Sequence, residues 1–131
     1  MVKTKNSHEI RHYEYNDAIT ILVNGCGTNS GVASGYAKIV LDITDLDNIG
    51  AEDILVVDQS TLLIIPALKI ANGIIVSRGG INSRLAIISR ELGIPCIIGA
   101  EKATEKLVDK EKVILDSNKG IAFQMYLPQR G

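Results

Sequence analysis

The chain has 131 residues, of which 46% are hydrophobic, and its 14 basic and 15 acidic residues leave a net charge of −1. A chain of this length folds as one domain and buries about two thirds of the surface that its unfolded form exposes. Non-specific binding of nucleic acid needs basic patches and stacking aromatic rings, and both the charge balance and the 4% aromatic fraction argue against it.

The cysteines and histidines give no metal or redox motif. Cys26 and Cys96 belong to no C-x-x-C pair, and the only histidines, His8 and His12, lie in a polar N-terminal segment. We therefore predict no metal and no cofactor. Two free thiols, with no apolar run long enough for a signal peptide or a membrane span, favour the cytoplasm.

Hydrophobic patterning divides the chain into a polar N-terminal arm, residues 1–17, and a single domain, residues 18–131. The first half of that domain is rich in strands. Its predicted elements are a strand at 18–24, a glycine-rich turn segment at 25–35, a strand at 36–42, an acidic connector at 44–52 and a buried strand at 54–57.

The second half alternates helices with strands, which indicates an α/β domain. Residues 61–71 show helical spacing, with Pro66 at a point that would kink or restart the helix. The later elements are a short helix at 101–107 and strands at 112–116 and 120–126.

Residues 73–99 form the best-defined unit, a strand, glycine turn, helix and second strand. Ile74, Ile75 and Val76 are a short β-branched run that is typical of a strand buried on both faces. Gly79 and Gly80 break this strand. The stop signals after the helix, Gly93 and Pro95, separate it from a buried strand at 96–98 that contains Cys96 as a buried free thiol.

The helix of this unit is capped by Asn82 or Ser83, and Leu85, Ile88 and Leu92 mark its buried stripe. Backbone N–H groups at the glycines and in the first helical turn favour an anion beyond the strand's carboxyl end. Arg84 lies in that turn, where a cation opposes the helix dipole.

At these residues the chain resembles the phosphohistidine, or mobile swivelling, domain of the phosphoenolpyruvate-utilising enzymes. This family includes pyruvate phosphate dikinase, phosphoenolpyruvate synthase and enzyme I of the sugar phosphotransferase system. Segments 31–40 and 53–57 resemble the family's opening segment and its G-D-I-L-V strand, and 104–116 its closing helix and strand. The residues in register with the family's central signature are Gly79, Gly80, Ser83, Ala86, Ile87, Arg90, Glu91, Leu92, Gly93, Ile94, Pro95 and Gly99.

The resemblance implies a swivelling three-layer β/β/α fold. It also implies a domain that carries a phosphoryl group between a nucleotide site and a phosphoenolpyruvate site on other domains, here on separate subunits. The family's acceptor histidine falls on Arg84, and Leu63 stands where the family usually has a proline. A guanidinium has no acceptor nitrogen and stays protonated, so we expect no phosphoenzyme.

The function expected from the resemblance is therefore non-covalent binding of phosphate or a phosphorylated small molecule, or docking onto a partner, without catalysis by the domain alone. The predicted anion-binding residues are Gly79, Gly80, Asn82, Ser83 and Arg84, with possible support from Arg78, Thr61 and Arg90.

Two alternatives remain open. One is an active phosphocarrier, with Ser83 as the nucleophile or with separate nucleotide- and pyruvate-binding subunits acting in trans. The other is a structural or regulatory interaction module that binds no ligand.

Overall fold

The computed structural model describes residues 19–125, so the predicted arm at 1–17 lies outside the described residues. The strands are β1 Ile19–Asn24, β2 Cys26–Gly27, β3 Val32–Val40, β4 Asp53–Val57, β5 Gly73–Val76, β6 Cys96–Ile98, β7 Lys112–Asp116 and β8 Ile121–Met125. The helices are α1 Ile65–Leu68, α2 Arg84–Leu92 and α3 Ala103–Lys106, with 3₁₀ turns at Ile43–Leu46 and Leu62–Ile64.

The eight strands form one mixed sheet in the order β1-β8-β7-β3-β4-β5-β6-β2. Strands β3 to β6 are parallel to one another, whereas β1, β8, β7 and β3 pair in antiparallel fashion, as do β2 and β6. This division gives the sheet a parallel half and an antiparallel half. The carboxyl ends of β3, β4 and β5 therefore lie at one end of the molecule.

The parallel half is buried on both faces, which makes three layers. Alternate residues of β4 and β5, such as Leu55 and Ile74, pack with Leu85 of α2 and Leu68 of α1. The residues between them pack with the antiparallel half; Val56, for example, shares a core with side chains of β7 and β8. Helices, parallel strands and antiparallel strands thus form the β/β/α arrangement that the resemblance predicted.

Glycine allows the sheet to curl until its edges meet. Gly25 alone separates β1 from β2, which stand at opposite ends of the strand order, and its N–H donates to the carbonyl of Gly120 at 2.8 Å. A Cβ added to Gly27 would lie 1.6 Å from the carbonyl oxygen of Ser117. Because backbone occupies the place of a side chain, only glycine fits at residue 27.

Three predicted elements differ from the observed ones. Strand β3 begins at Val32 rather than at residue 36, because its first residues pair with β7 and the segment predicted as turns continues the sheet. Helix α3 starts at Ala103 rather than at 101, since Lys102 before it has a left-handed φ of 59°. Leu92 is 43% exposed, so its predicted burial was wrong; the buried positions of α2 are Leu85, Ala86 and Ser89.

Local capping explains why the helix that contains Pro66 starts where it does. Thr61 caps a 3₁₀ turn, and α1 then starts at Ile65 with Pro66 as its second residue. An N–H group there would have no intrahelical partner, so proline is tolerated. The predicted restart of the helix at this proline is confirmed.

We predict that Gly27→Ala destabilises the fold by about 3 kcal/mol or more, because the new methyl group forces two backbone segments apart. Urea denaturation followed by far-UV circular dichroism measures this loss. Gly50→Ala is the matched control: its Cβ would meet nothing closer than an oxygen of Asp53 at 3.9 Å, so the free energy of unfolding should change by less than about 0.5 kcal/mol. Equal losses in the two variants would contradict closure at Gly27.

Candidate functional site

The central strand β5 fixes where the glycine loop, residues 77–83, begins. Ser77 directly follows β5 and is buried, and its N–H donates to the carbonyl of Val57 at the end of β4. The Ser77 hydroxyl oxygen accepts a hydrogen bond of 3.0 Å from the N–H of Ala103 in α3. Two neighbouring elements therefore hold the start of the loop before it emerges into solvent.

The loop is open to solvent at the two glycines. Gly79 has a φ of +120°, a conformation that side-chain-bearing residues rarely adopt. Gly80 is exposed, and a Cβ placed on it would meet no atom within 4 Å. Gly79 is thus required by its backbone conformation, whereas Gly80 leaves open space in front of the loop.

Side-chain hydroxyls cap the first turn of α2. Ser83 is the N-cap residue, and its Oγ accepts from the N–H of Ala86 at 3.3 Å; of the two predicted caps, Ser83 is therefore the one used. The Oγ of Ser60 accepts from the N–H of Leu85 at 3.4 Å. The sequence interpretation missed Ser60, although a hydroxyl residue just after β4 was a usable signal, because neighbouring parallel strands end together.

These caps narrow the predicted set of free backbone donors. Within residues 19–125, five N–H groups make no hydrogen bond, whereas two donors of the first turn are satisfied by serine. The five belong to exposed residues of a single short segment: Gly79, Gly80, Ile81, Asn82 and Arg84. Such a segment has several backbone donors available for an anion.

The three arginines near the loop have different surroundings. Arg78 forms an ion pair with Asp58, Nε to Oδ2 at 3.3 Å, between side chains that are 70% and 47% exposed. Arg90 donates from Nη1 to the carbonyl of Ile81 at 3.3 Å and so supports the loop. Arg84 is the first residue of α2 and is exposed, and no residue of 19–125 pairs with its side chain.

Thr61 lies near the glycine loop because the residue before it, Ser60, contacts α2. Its Oγ1 accepts from the N–H of Leu63 at 3.4 Å and starts the 3₁₀ turn, while adjacent Ser60 contacts α2. The structure thus places Gly79, Gly80, Asn82, Ser83 and Arg84 in one continuous segment. Around it lie Arg78, Arg90 and the chain that contains Thr61.

The described residues contain no arrangement typical of a nucleophile with its base. Both histidines, His8 and His12, fall outside them, and Ser83 is already used as a helix cap. Among residues 19–125 no three His, Cys, Asp or Glu side chains are grouped as metal ligands would be. Within the same range, no helix has the length and apolar character needed to cross a bilayer.

The cysteines are both free thiols, and they differ in exposure. Cys26 is exposed on the edge strand β2, whereas Cys96 is buried in β6, as predicted. Burial raises the pKa of the Cys96 thiol, so this group stays protonated at neutral pH and is a poor nucleophile.

Comparison with known proteins places this geometry in a family. The profile of the family described as "PEP-utilising enzyme, mobile domain" matches residues 49–120, which include the glycine loop and α2. A probable phosphoenolpyruvate synthase of Methanothermobacter thermautotrophicus is 46% identical over 104 residues, covering 79% of this chain and 15% of the relative. This chain therefore spans a small part of the length of that relative.

Solved structures agree on the fold. The solution structure of an Enzyme I protein has a TM-score of 0.51 and 25% identity, covering 59% of this chain and 32% of that chain. Aconitase X of Thermococcus kodakaraensis has a TM-score of 0.61 and 21% identity, covering 80% of this chain and 98% of that chain, and supports the fold alone. On the profile match and its extent, this chain belongs to the family of the mobile domain of PEP-utilising enzymes.

Proposed function

We propose that this mobile domain forms no phosphoenzyme at its glycine loop and holds phosphate, or the phosphoryl group of a small molecule, without a covalent bond. The observation that carries this proposal is the residue at the start of α2. Arg84 stands there, and its side chain has no partner within residues 19–125. The resemblance to the family puts the acceptor histidine at this position.

The chemistry of arginine supports the first half of the proposal. A phosphoacceptor needs a lone pair on a neutral nitrogen, and it must leave again when the phosphoryl group moves on. The guanidinium of Arg84 has five N–H donors and no acceptor nitrogen. It suits recognition of a phosphate by hydrogen bonds rather than attack on phosphorus.

The surroundings of the loop support the second half. The N–H groups of Gly80, Ile81, Asn82 and Arg84 lie in one segment at the positive end of the α2 dipole. The Arg84 side chain opposes that dipole by about 0.3–1 kcal/mol when no anion is bound. A bound phosphate would turn this repulsion into an attraction, because it neutralises both positive groups.

The other predicted residues have supporting roles in this proposal. Ser83 orders the first turn through its cap, and Arg90 holds the loop through the carbonyl of Ile81. The charge of Arg78 is partly balanced by Asp58, and Thr61 starts the neighbouring turn. We therefore assign direct contact with the anion to Gly79, Gly80, Asn82 and Arg84, and a supporting role to Ser83.

We further propose that residues 18–131 act as one unit in the cytoplasm and together with separate domains or subunits. The support is that the synthase relative is much longer and that this chain spans 15% of its length. A mobile domain that carries no phosphoacceptor would depend on a partner that carries the catalytic residues. The arrangement that we infer is a phosphate-dependent docking module.

A second candidate is an active phosphocarrier that works in trans with nucleotide- and pyruvate-binding subunits. It is favoured by the 46% identity to a probable phosphoenolpyruvate synthase. It would need an acceptor other than Arg84, and Ser83 is the adjacent hydroxyl. No described carboxylate or imidazole hydrogen-bonds to that hydroxyl to activate it.

We predict that inorganic phosphate shifts the backbone amide signals of Gly80, Asn82 and Arg84 in ¹H–¹⁵N NMR spectra of the full chain. Arg84→Gln should weaken this binding about fivefold, because it removes one charge-assisted hydrogen bond. Lys69→Gln removes an exposed cation that follows α1 and should leave the affinity unchanged. Absence of loop shifts at millimolar phosphate would favour the ligand-free interaction module.

We predict that incubation with phosphoenolpyruvate, or with ATP, in the presence of a phosphoenolpyruvate synthase adds no phosphoryl group to the chain. Intact-mass spectrometry measures this directly. Arg84→His alone should gain little, because the phosphoryl group would have to reach it from the domains of a separate synthase. Stoichiometric labelling of the unmodified chain would contradict the proposal, and mapping the label to Ser83 would establish the second candidate.

A further inference from the structure

An apolar groove of about 300 Å³ lies beside the carboxyl ends of β3 and β4. Three of its large side chains are open to solvent: Leu41 is 76% exposed, Leu63 62% and Ile43 50%. The groove runs between the two 3₁₀ turns, and its lining residues are Val40, Leu41, Asp42, Ile43, Leu46, Val57, Asp58, Gln59, Thr61, Leu63 and Ile64.

Carboxylates are concentrated beside this groove. Residues 39–47 contain Asp42, Asp45 and Asp47 and no lysine or arginine, although the whole chain is almost neutral at −1. Asp42 lines the groove, and so does Asp58, which directly follows β4. These four residues form the acidic rim of the groove.

Asp45 lies in the 3₁₀ turn whose residues Ile43 and Leu46 line the groove. Its carboxylate accepts hydrogen bonds from the N–H groups of Leu41 and Asp42, at 2.8 and 3.0 Å. These backbone hydrogen bonds lower the pKa of Asp45, and nearby Lys38 acts in the same direction. The carboxylate therefore stays ionised at neutral pH and holds the first turn of the groove wall in place.

Asp58 joins this groove to the glycine loop. Its carboxylate lines the groove and pairs with Arg78, the residue that directly precedes Gly79. The ion pair of Asp58 with Arg78 therefore lies between a molecule seated in the groove and the loop at which we propose an anion binds. The two surfaces have opposite charge, acidic at the groove and basic at Arg78, Arg84 and Arg90.

We propose that the groove docks a partner protein or domain through one or two apolar side chains that are flanked by lysine or arginine. The open leucines and isoleucine provide the apolar contact, and the acidic rim selects the flanking basic residues by charge complementarity. This inference rests on the proposal that the domain works with a partner. It does not require that phosphate binds at the loop.

A peptide pair tests the inference with the full chain. One twelve-residue peptide carries two leucines flanked by lysines and arginines; the other carries the same leucines flanked by glutamates. We expect the basic peptide alone to shift the methyl signals of Leu41, Ile43 and Leu63 in NMR spectra. Leu63→Asp should weaken its binding at least fivefold. Val108→Asp, at a residue 64% exposed and outside the groove, should not change it.

Three outcomes would overturn this assignment. Equal binding of the two peptides would exclude selection by charge, and shifts confined to other surfaces would exclude the groove. Dimers in sedimentation that Leu63→Asp dissociates, or contacts between groove methyl groups and residues 1–18 in the free chain, would show that this chain fills the groove itself. A phosphate titration run in parallel, without peptide, reports separately on the anion proposal.

Discussion

The structure depends on the close approach of backbone at Gly25 and Gly27. Because one residue links the two outer strands of an eight-stranded sheet, the sheet must curl until its edges meet. That curl places the antiparallel strands over one face of the parallel half and leaves the other face to α1 and α2. Burial on both faces then follows, and with it the need for β-branched and leucine residues throughout β4 and β5.

Burial on both faces also explains where chemistry can occur. Strand β5 has no solvent-exposed side, so polar groups are available only where it ends. Its end is held by Ser77 against α3, and the loop beyond contains Gly79 and Gly80 and leads into α2. An anion site built this way needs few side chains, because the backbone supplies most of its donors. The loop can therefore keep its geometry while residue 84 changes.

The sequence predicted those parts of the structure that neighbouring residues determine. The strand, the serine cap and the glycine stop of α2 are local signals, and each is found where its residue type indicates. The contact of Ser60 with Leu85 and the closure of Gly27 on Ser117 join residues far apart in the chain, so they follow from the order of the strands in the sheet and not from the residues next to them. Leu92 has helical spacing, yet β6 and the loop before it leave that position exposed, so periodicity alone placed it wrongly.

Acidic and basic residues are separated around the strand ends, although the net charge of the chain is only −1. Acidic groups surround an apolar groove on one side, arginines surround the glycine loop on the other, and the ion pair of Asp58 with Arg78 lies between them. A partner with basic and apolar side chains would bind in one orientation only, because reversing it would bring its cations against Arg84. Phosphate at the loop would add negative charge near the groove and so strengthen the attraction of the partner's cations. Occupation of the loop and docking at the groove would then favour each other, as linkage requires of two sites coupled by charge.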